Sequence, residues 1–222
     1  MAGPLAPPRL AFRVAGAAPV QHAAAPTLRF ALRVDSLDGE RIRAILLDAQ
    51  IRIAARGRSY DGAAVERLFD LFGPKEAWGS TLRTLLWARS TLVVPDFTGS
   101  TTVDLDVPCS YDLDVVATRY FDALDGGEVP LEFLFSGSVF YARENGMLQT
   151  ARLSWEQEAA YRLPVAVWKE TLERHFRGTA WLRLPKASFD RLVAYKTRHG
   201  FLRWEDAVDA LLAEDREPTW TP

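Results

Sequence analysis

Alternation of apolar and polar positions is the strongest local signal in this chain, and it is clearest between residues 28 and 54. Leu28, Phe30, Leu32 and Val34 fall on one side of an extended segment, with Arg29, Ala31 and Arg33 on the other. A strand with one buried face has this period of two. Asp38-Gly39 is a turn signal. From Ile42 to Ala54 the alternation resumes, with Ile45, Leu47, Ala49, Ile51 and Ile53 opposite Asp48, Gln50 and Arg52. The pattern predicts a hairpin whose two strands share a core face. Ahead of it, Leu10, Phe12 and Val14 predict a short first strand, and the Ala- and Pro-rich stretch Ala15 to Pro26 reads as a connection.

Further along, Asp61 caps a predicted short helix with a Val65, Leu68, Phe69, Phe72 stripe, stopped by Gly73-Pro74. Leu85 to Val94 and Thr101 to Val107 predict two strands around a Pro95-to-Gly99 turn. Tyr111 to Tyr120 and Val129 to Tyr141, joined through Asp125-Gly126-Gly127, predict a third hairpin, although Val115 to Leu124 also reads as helix. After Leu153 the period becomes helical. Pro164 suits a first helical turn, and Val165, Trp168, Leu172 and Phe176 form one stripe ending before Gly178. A short strand over Thr179 to Leu184 is followed by Ser188 as an N-cap, an amphipathic segment through Phe189, Leu192 and Val193, a stop at Gly200, and a helix carrying Trp204, Val208, Leu211 and Leu212.

These elements predict an α+β protein: an antiparallel β-sandwich-like body with a helical C-terminal region. Its expected divisions are an N-terminal segment with one short strand (1–26), the body with one inserted helix (27–153), the helical region (154–213) and a tail (214–222).

Composition narrows the function classes. The chain has 222 residues, enough for one substantial core without staples. It is 48% hydrophobic and 25% charged, with a formal net charge of -2, so it lacks the overall basicity that drives non-specific nucleic-acid binding. A single cysteine, Cys109, excludes an internal disulfide. Without a leader-like start, and with apolar runs such as Val129 to Phe135 far short of the roughly 20 residues of a membrane span, a cytoplasmic protein with no membrane span is expected.

Candidate chemistry is sparse. His22, His175, His199 and Cys109 are far apart in sequence and form no zinc pattern. Cys109 has no identifiable base, so a small core residue is the favoured reading. Ser136-Gly137-Ser138 does not have the glycine spacing of a nucleophile elbow. Asp104, Asp106, Asp112 and Asp114, two i, i+2 pairs, are the best candidates for a hard cation, against the alternative of two solvated strand faces. No phosphate-binding or dinucleotide-binding glycine loop is present. No cofactor is expected.

Seven arginines lie between residues 29 and 58, and Arg29, Arg33 and Arg52 fall on the inferred polar face of the first hairpin. That face is the candidate contact surface for a protein partner, weighed against arginines simply balanced by Asp35, Asp48 and neighbouring aspartates. The segment 179–213 has the strand-helix-helix order of a ribbon-helix-helix unit, with Arg183, Lys186 and Arg191 as its DNA contacts, but its apolar strand favours a helical cap.

Gln50-Ile51-Arg52-Ile53, Leu71-Phe72-Gly73, Phe97-Thr98-Gly99, Val107-Pro108-Cys109-Ser110-Tyr111-Asp112, Leu134-Phe135-Ser136-Gly137 and the run Tyr161 to Trp168 together resemble an uncharacterised bacterial domain-of-unknown-function family. The resemblance runs from about Leu28 to Leu212. Genes of that family often accompany those of uptake nickel-iron hydrogenases, so the resemblance implies an accessory role toward a hydrogenase subunit or maturation factor. It supplies no catalytic residues. Tryptophan and arginine suit protein contacts; Trp168, Trp181 and Trp204 are expected in the core as readily as on the surface, whereas Trp78 and Trp220 are the candidate exposed anchors. The leading expectation is therefore a non-enzymatic accessory or scaffold protein, with a symmetric homodimer as the default assembly. The alternatives are a DNA-binding regulator and an enzyme with an unrecognised site near Cys109.

Overall fold

In a computed structural model, residues 7–110, 112, 115–142, 146–154, 156–179 and 183–214 are described. Among these residues eight strands, β1 (Leu10–Pro19), β2 (Thr27–Ser36), β3 (Ile42–Ile53), β4 (Leu85–Val94), β5 (Ser100–Pro108), β6 (Glu128–Ala142), β7 (Leu148–Arg152) and β8 (Glu158–Pro164), make two antiparallel sheets. One sheet has the order β1-β2-β5. The other has the order β4-β3-β6-β7, with β8 also on β6.

The expected hairpin of residues 28–54 does not form. β2 pairs with β1 and β5, whereas β3 pairs with β4 and β6. Alternation records which face of a strand is buried and not which neighbour it bonds. Both strands do bury their apolar sets, Leu28, Phe30, Leu32 and Val34 on one and Ile45, Leu47, Ile51 and Ile53 on the other, all fully inaccessible. The chain crosses between sheets again from β4 to β5 and from β5 to β6.

The inner faces meet through aromatic rings. Phe30 of β2 stands edge-on to Phe133 of β6 at 5.2 Å, to Trp87 of β4 at 6.0 Å and to Tyr161 of β8 at 6.0 Å. Phe12 of β1 stacks on Phe135 of β6 at 4.6 Å. A buried phenylalanine contributes roughly 1.5–3 kcal/mol by burial alone, so this ring column is a main source of cohesion between the sheets.

Helices α1 (Gly62–Arg67), α2 (Phe69–Phe72), α3 (Trp78–Thr81) and α4 (Val116–Asp122) lie in the connections. Asp61 caps α1 by accepting from the Ala64 amide at 2.7 Å. The buried stripe is Ala64, Leu68 and Phe72, and the expected Phe69 is exposed. α4 overturns the third expected hairpin in favour of the helical reading, and it buries Tyr120 and Phe121. β1 continues through Pro19, beyond the short strand expected, because its partners Leu28 to Ala31 extend the ladder. β7 and β8 escaped the sequence reading: each is short, and β8 carries Tyr161-Arg162-Leu163 without clean alternation. β8 pairs with β6, which places residues 158–164 in the body sheet.

α5 (Val165–Glu173) follows β8 directly, with Pro164 as its N-cap residue and Trp168 stacked on Phe121 at 5.1 Å. The chain then divides into two compact units, Met1–Trp181 and Leu182–Pro222. The second contains α6 (Lys186–Arg198) and α7 (Trp204–Glu214). α6 begins after Pro185, so Ser188 lies inside the helix and is not its N-cap. Gly200, at φ 69°, makes the left-handed turn that ends it. Half of the strand expected over 179–184, residues 180–182, lies outside the described residues, as do residues 215–222 of the tail. No helix among the described residues is long and apolar enough to cross a membrane.

Candidate functional site

The seven arginines of residues 29–58 are each engaged within the chain. Arg29 on β2 holds Asp106 through Nε and Nη2, both at 2.7 Å, and Asp104 through Nη1 at 2.8 Å. Those aspartates lie on β5, and Asp106 is directly across the ladder from Arg29. Asp106 above all, with Asp104, stabilises the guanidinium and raises its pKa. Arg33 pairs with Asp35 on its own strand at 2.8 Å. Arg52 meets Glu132 of β6 at 3.4 Å, while its Nε is buried without a partner among the described residues. Arg41 and Arg43 share Asp96, Arg56 donates to the carbonyls of Leu82 and Gly79, and Arg58 lies over the Tyr60 ring at 5.3 Å.

A single basic face bearing Arg29, Arg33 and Arg52 does not exist. Arg29 and Arg33 are on the outer face of the three-stranded sheet and Arg52 is on that of the five-stranded sheet, because β2 and β3 belong to different sheets. Cross-strand pairing sets carboxylates against Arg29 and Arg52, and Asp35 of the same strand pairs with Arg33, so the balanced alternative describes them better.

The same pairing answers the aspartate reading in part. Asp104 and Asp106 turn to Arg29. Asp112 lies beyond β5, and Asp114 is outside the described residues. Among the described residues no group of three or more His, Cys, Asp or Glu could hold a metal ion. Cys109 is buried, with its Sγ 3.6 Å from the Val107 carbonyl, and burial pushes its thiol up to about 12. At neutral pH it carries almost no thiolate, the species a nucleophile requires.

The histidines stay apart. His175, just beyond α5, spans the carbonyls of Thr171 at 3.3 Å and Ala23 at 3.0 Å. His199 ends α6 and lies against Tyr195 and Phe201. His22, at φ 59°, sits in the β1–β2 connection. Gly137 serves the sheet: at φ 142°, a Cβ there would fall 1.9 Å from the Leu46 carbonyl oxygen. Trp78 is buried and donates to the Gly73 carbonyl at 3.0 Å, so it is no exposed anchor. Trp168 is core, Trp204 is exposed, and Trp181 and Trp220 lie outside the described residues.

The outer face of the five-stranded sheet carries a feature that the strand pattern passed over. Asp48, Gln50, Arg89, Thr91 and Ser136 line a groove of about 410 Å³, in which the Thr91 hydroxyl donates to Asp48 at 2.6 Å. The register puts Val93 opposite Leu46 next to this row, with Leu86 beyond its other end. These three are 60%, 47% and 52% exposed. Leu46 precedes the outward Asp48 and Gln50 at spacings of two and four, so its outward direction was readable in the alternation. That Val93 stands beside it depends on the pairing of β3 with β4.

Comparisons with known proteins add a family and little else. A model described as a family of unknown function (DUF6084) matches residues 7–219. We found no significant match among curated proteins. Among solved structures, a β-glucosidase from Kluyveromyces marxianus is similar at 10% identity over 70% of this chain and 15% of that one, with a TM-score of 0.25. β-Glucosidase 3B from Thermotoga neapolitana is similar at 14% identity over 70% of this chain and 17% of that one, with a TM-score of 0.24. The chain thus spans less than a fifth of either structure, and likeness at these scores says nothing about its chemistry.

Proposed function

For a chain that belongs to the DUF6084 family of unknown function, we propose a non-enzymatic accessory role: it binds another protein, and the outer face of the five-stranded sheet is the contact surface. The observation that carries this reading is the juxtaposition of exposed Leu46, Val93 and Leu86 with the mixed-charge row of Asp48, Gln50 and Arg89. Protein interfaces combine an apolar centre with polar neighbours in this way. Arg52 lies on the same sheet face, next to Leu86 across the ladder, and joins this surface. Arg29 and Arg33 belong to the other sheet and are secondary contacts, since paired carboxylates already satisfy them. The resemblance of the sequence makes a hydrogenase subunit or maturation factor the partner to look for.

The test is co-purification from the native host, with partners identified by mass spectrometry. The reading expects a protein partner that is lost on Leu46→Glu/Val93→Glu and retained on Arg29→Glu. A chain that retains no protein, or a partner indifferent to the Leu46/Val93 change, overturns it.

A further inference from the structure

The unit of residues 183–214 has almost no interior of its own. α6 and α7 have 13 and 11 residues, about 20 and 16 Å of helix, and among the unit's described residues only Ala207 is buried. Phe189, Trp204, Val208 and Leu212 are between 41% and 59% exposed. Trp204, Val208 and Leu212 follow one another at i, i+4 spacing along α7, and Phe189 of α6 meets Trp204 at 5.7 Å. Two short helices cannot enclose a core, and apolar stripes of this kind are stable when covered.

Charge identifies what covers them. α6 carries Lys186, Arg191, Lys196 and Arg198 against one acid, Asp190. α7 carries Glu205, Asp206, Asp209 and Glu214 and no base. Within the hairpin this opposition is largely unused: Lys186 pairs with Asp190 on its own helix, Lys196 donates to the carbonyls of Phe201 and Leu202, and Glu205 takes Arg203 at 3.3 Å. Arg191 and Arg198, seven residues apart, border a groove of about 410 Å³ floored by Leu192, Ala194, Tyr195 and Leu211. Neither forms an ion pair among the described residues. On α7, Glu205 and Asp209 flank Val208 and Leu212 at helical spacing. One face is basic beside an apolar groove, and the other is acidic beside an apolar stripe. Such a surface is complementary to itself under a two-fold axis.

We propose that this hairpin is a self-association module: α7 of a second copy lies in the Arg191/Arg198 groove of the first and the reverse, closing a four-helix bundle. This goes beyond the partner-binding face of the sheet and uses none of its residues, so Leu46→Glu/Val93→Glu leaves the dimer intact.

The experiment measures the mass of the full chain by light scattering after size exclusion, at several protein and salt concentrations. The wild type is expected to be a dimer that loosens as salt rises. Arg191→Glu/Arg198→Glu and Glu205→Lys/Asp209→Lys are each expected to be monomeric, since each sets like charge against like. Their equimolar mixture is expected to return the dimer, because both intermolecular contacts then become complementary while each chain's own hairpin is unchanged. A monomeric wild type, a dimer unaffected by either double change, or a mixture that stays monomeric while both variants keep their far-UV helical signal overturns the proposal. Should a double change lose that signal, Arg191→Gln/Arg198→Gln is read instead: a weakened dimer supports the proposal and an unchanged one overturns it. A monomer that retains a DNA duplex, and loses it with Arg191→Glu/Arg198→Glu, assigns the basic helix to nucleic acid and also overturns it.

Discussion

The hydroxyls of Tyr60 and Tyr120 lie 2.7 Å apart, and the Tyr60 hydroxyl also donates to the Ala55 carbonyl at 2.6 Å. With the Tyr60 proton committed to Ala55, Tyr120 must donate to Tyr60. The relay ties α4 to the segment that leads into α1, and burial raises the pKa of both phenols.

The direction of that relay makes the two residues unequal. Tyr120→Phe removes a donor and leaves Tyr60 bonded to Ala55, so a loss of about 1 kcal/mol is expected. Tyr60→Phe strands both a buried hydroxyl and a carbonyl, and a loss of about 2–3 kcal/mol is expected. Urea unfolding of the two variants measures the order, and equal losses would contradict the assignment of donor and acceptor.

Gly137 is required by close approach. With φ 142° and no room before the Leu46 carbonyl, Gly137→Ala is expected to cost about 3 kcal/mol or more. Gly126, whose Cβ would meet open space, is the control, and Gly126→Ala is expected to change the thermal midpoint little.

Alkaline pH is expected to weaken the fold through Cys109. Its folded pKa, about 12, lies above the unfolded value near 8.5. The stabilisation is therefore complete below pH 8.5 and is lost as pH rises toward 12, by up to about 1.4 kcal/mol per pH unit for one proton. Denaturant midpoints between pH 8 and 11 should fall more steeply for the wild type than for Cys109→Ala. In native protein at pH 8, iodoacetamide should label the thiol only slowly.

Acid acts through a different contact. Hydrogen bonds from Arg41, and then Arg43, hold the Asp96 carboxyl below its usual range. Next to it, Ile42 and Phe97 exchange two backbone hydrogen bonds, both 2.9 Å, that pin the start of β3 to the β4–β5 crossing. A depressed carboxylate stabilises the fold above its unfolded pKa near 3.9, and that contribution is lost as pH falls through the folded value. Protection of the Ile42 and Phe97 amides, measured relative to the intrinsic exchange rate at each pH, should fall below pH 4 in the wild type. In Asp96→Asn it should already be lower at neutral pH, without that added acid dependence.

The sequence alone determined what a residue's own neighbours along the chain decide. The strand character of residues 28–34, 42–53, 85–94 and 101–107, the Asp61 cap, the α5 stripe and the Gly200 stop follow from period, capping and backbone freedom, which act over a few residues. Tertiary structure decided which strands pair. A strand buries the same side chains whether its neighbour in sequence lies beside it or in the facing sheet, so β2 and β3 read as a hairpin and Arg29, Arg33 and Arg52 read as one face. The ladder instead sets Arg29 against Asp104 and Asp106, and Arg52 against Glu132. The net electrostatic character of Arg29 and Arg52 is a property of partners 75 to 80 residues away, to which no local pattern has access.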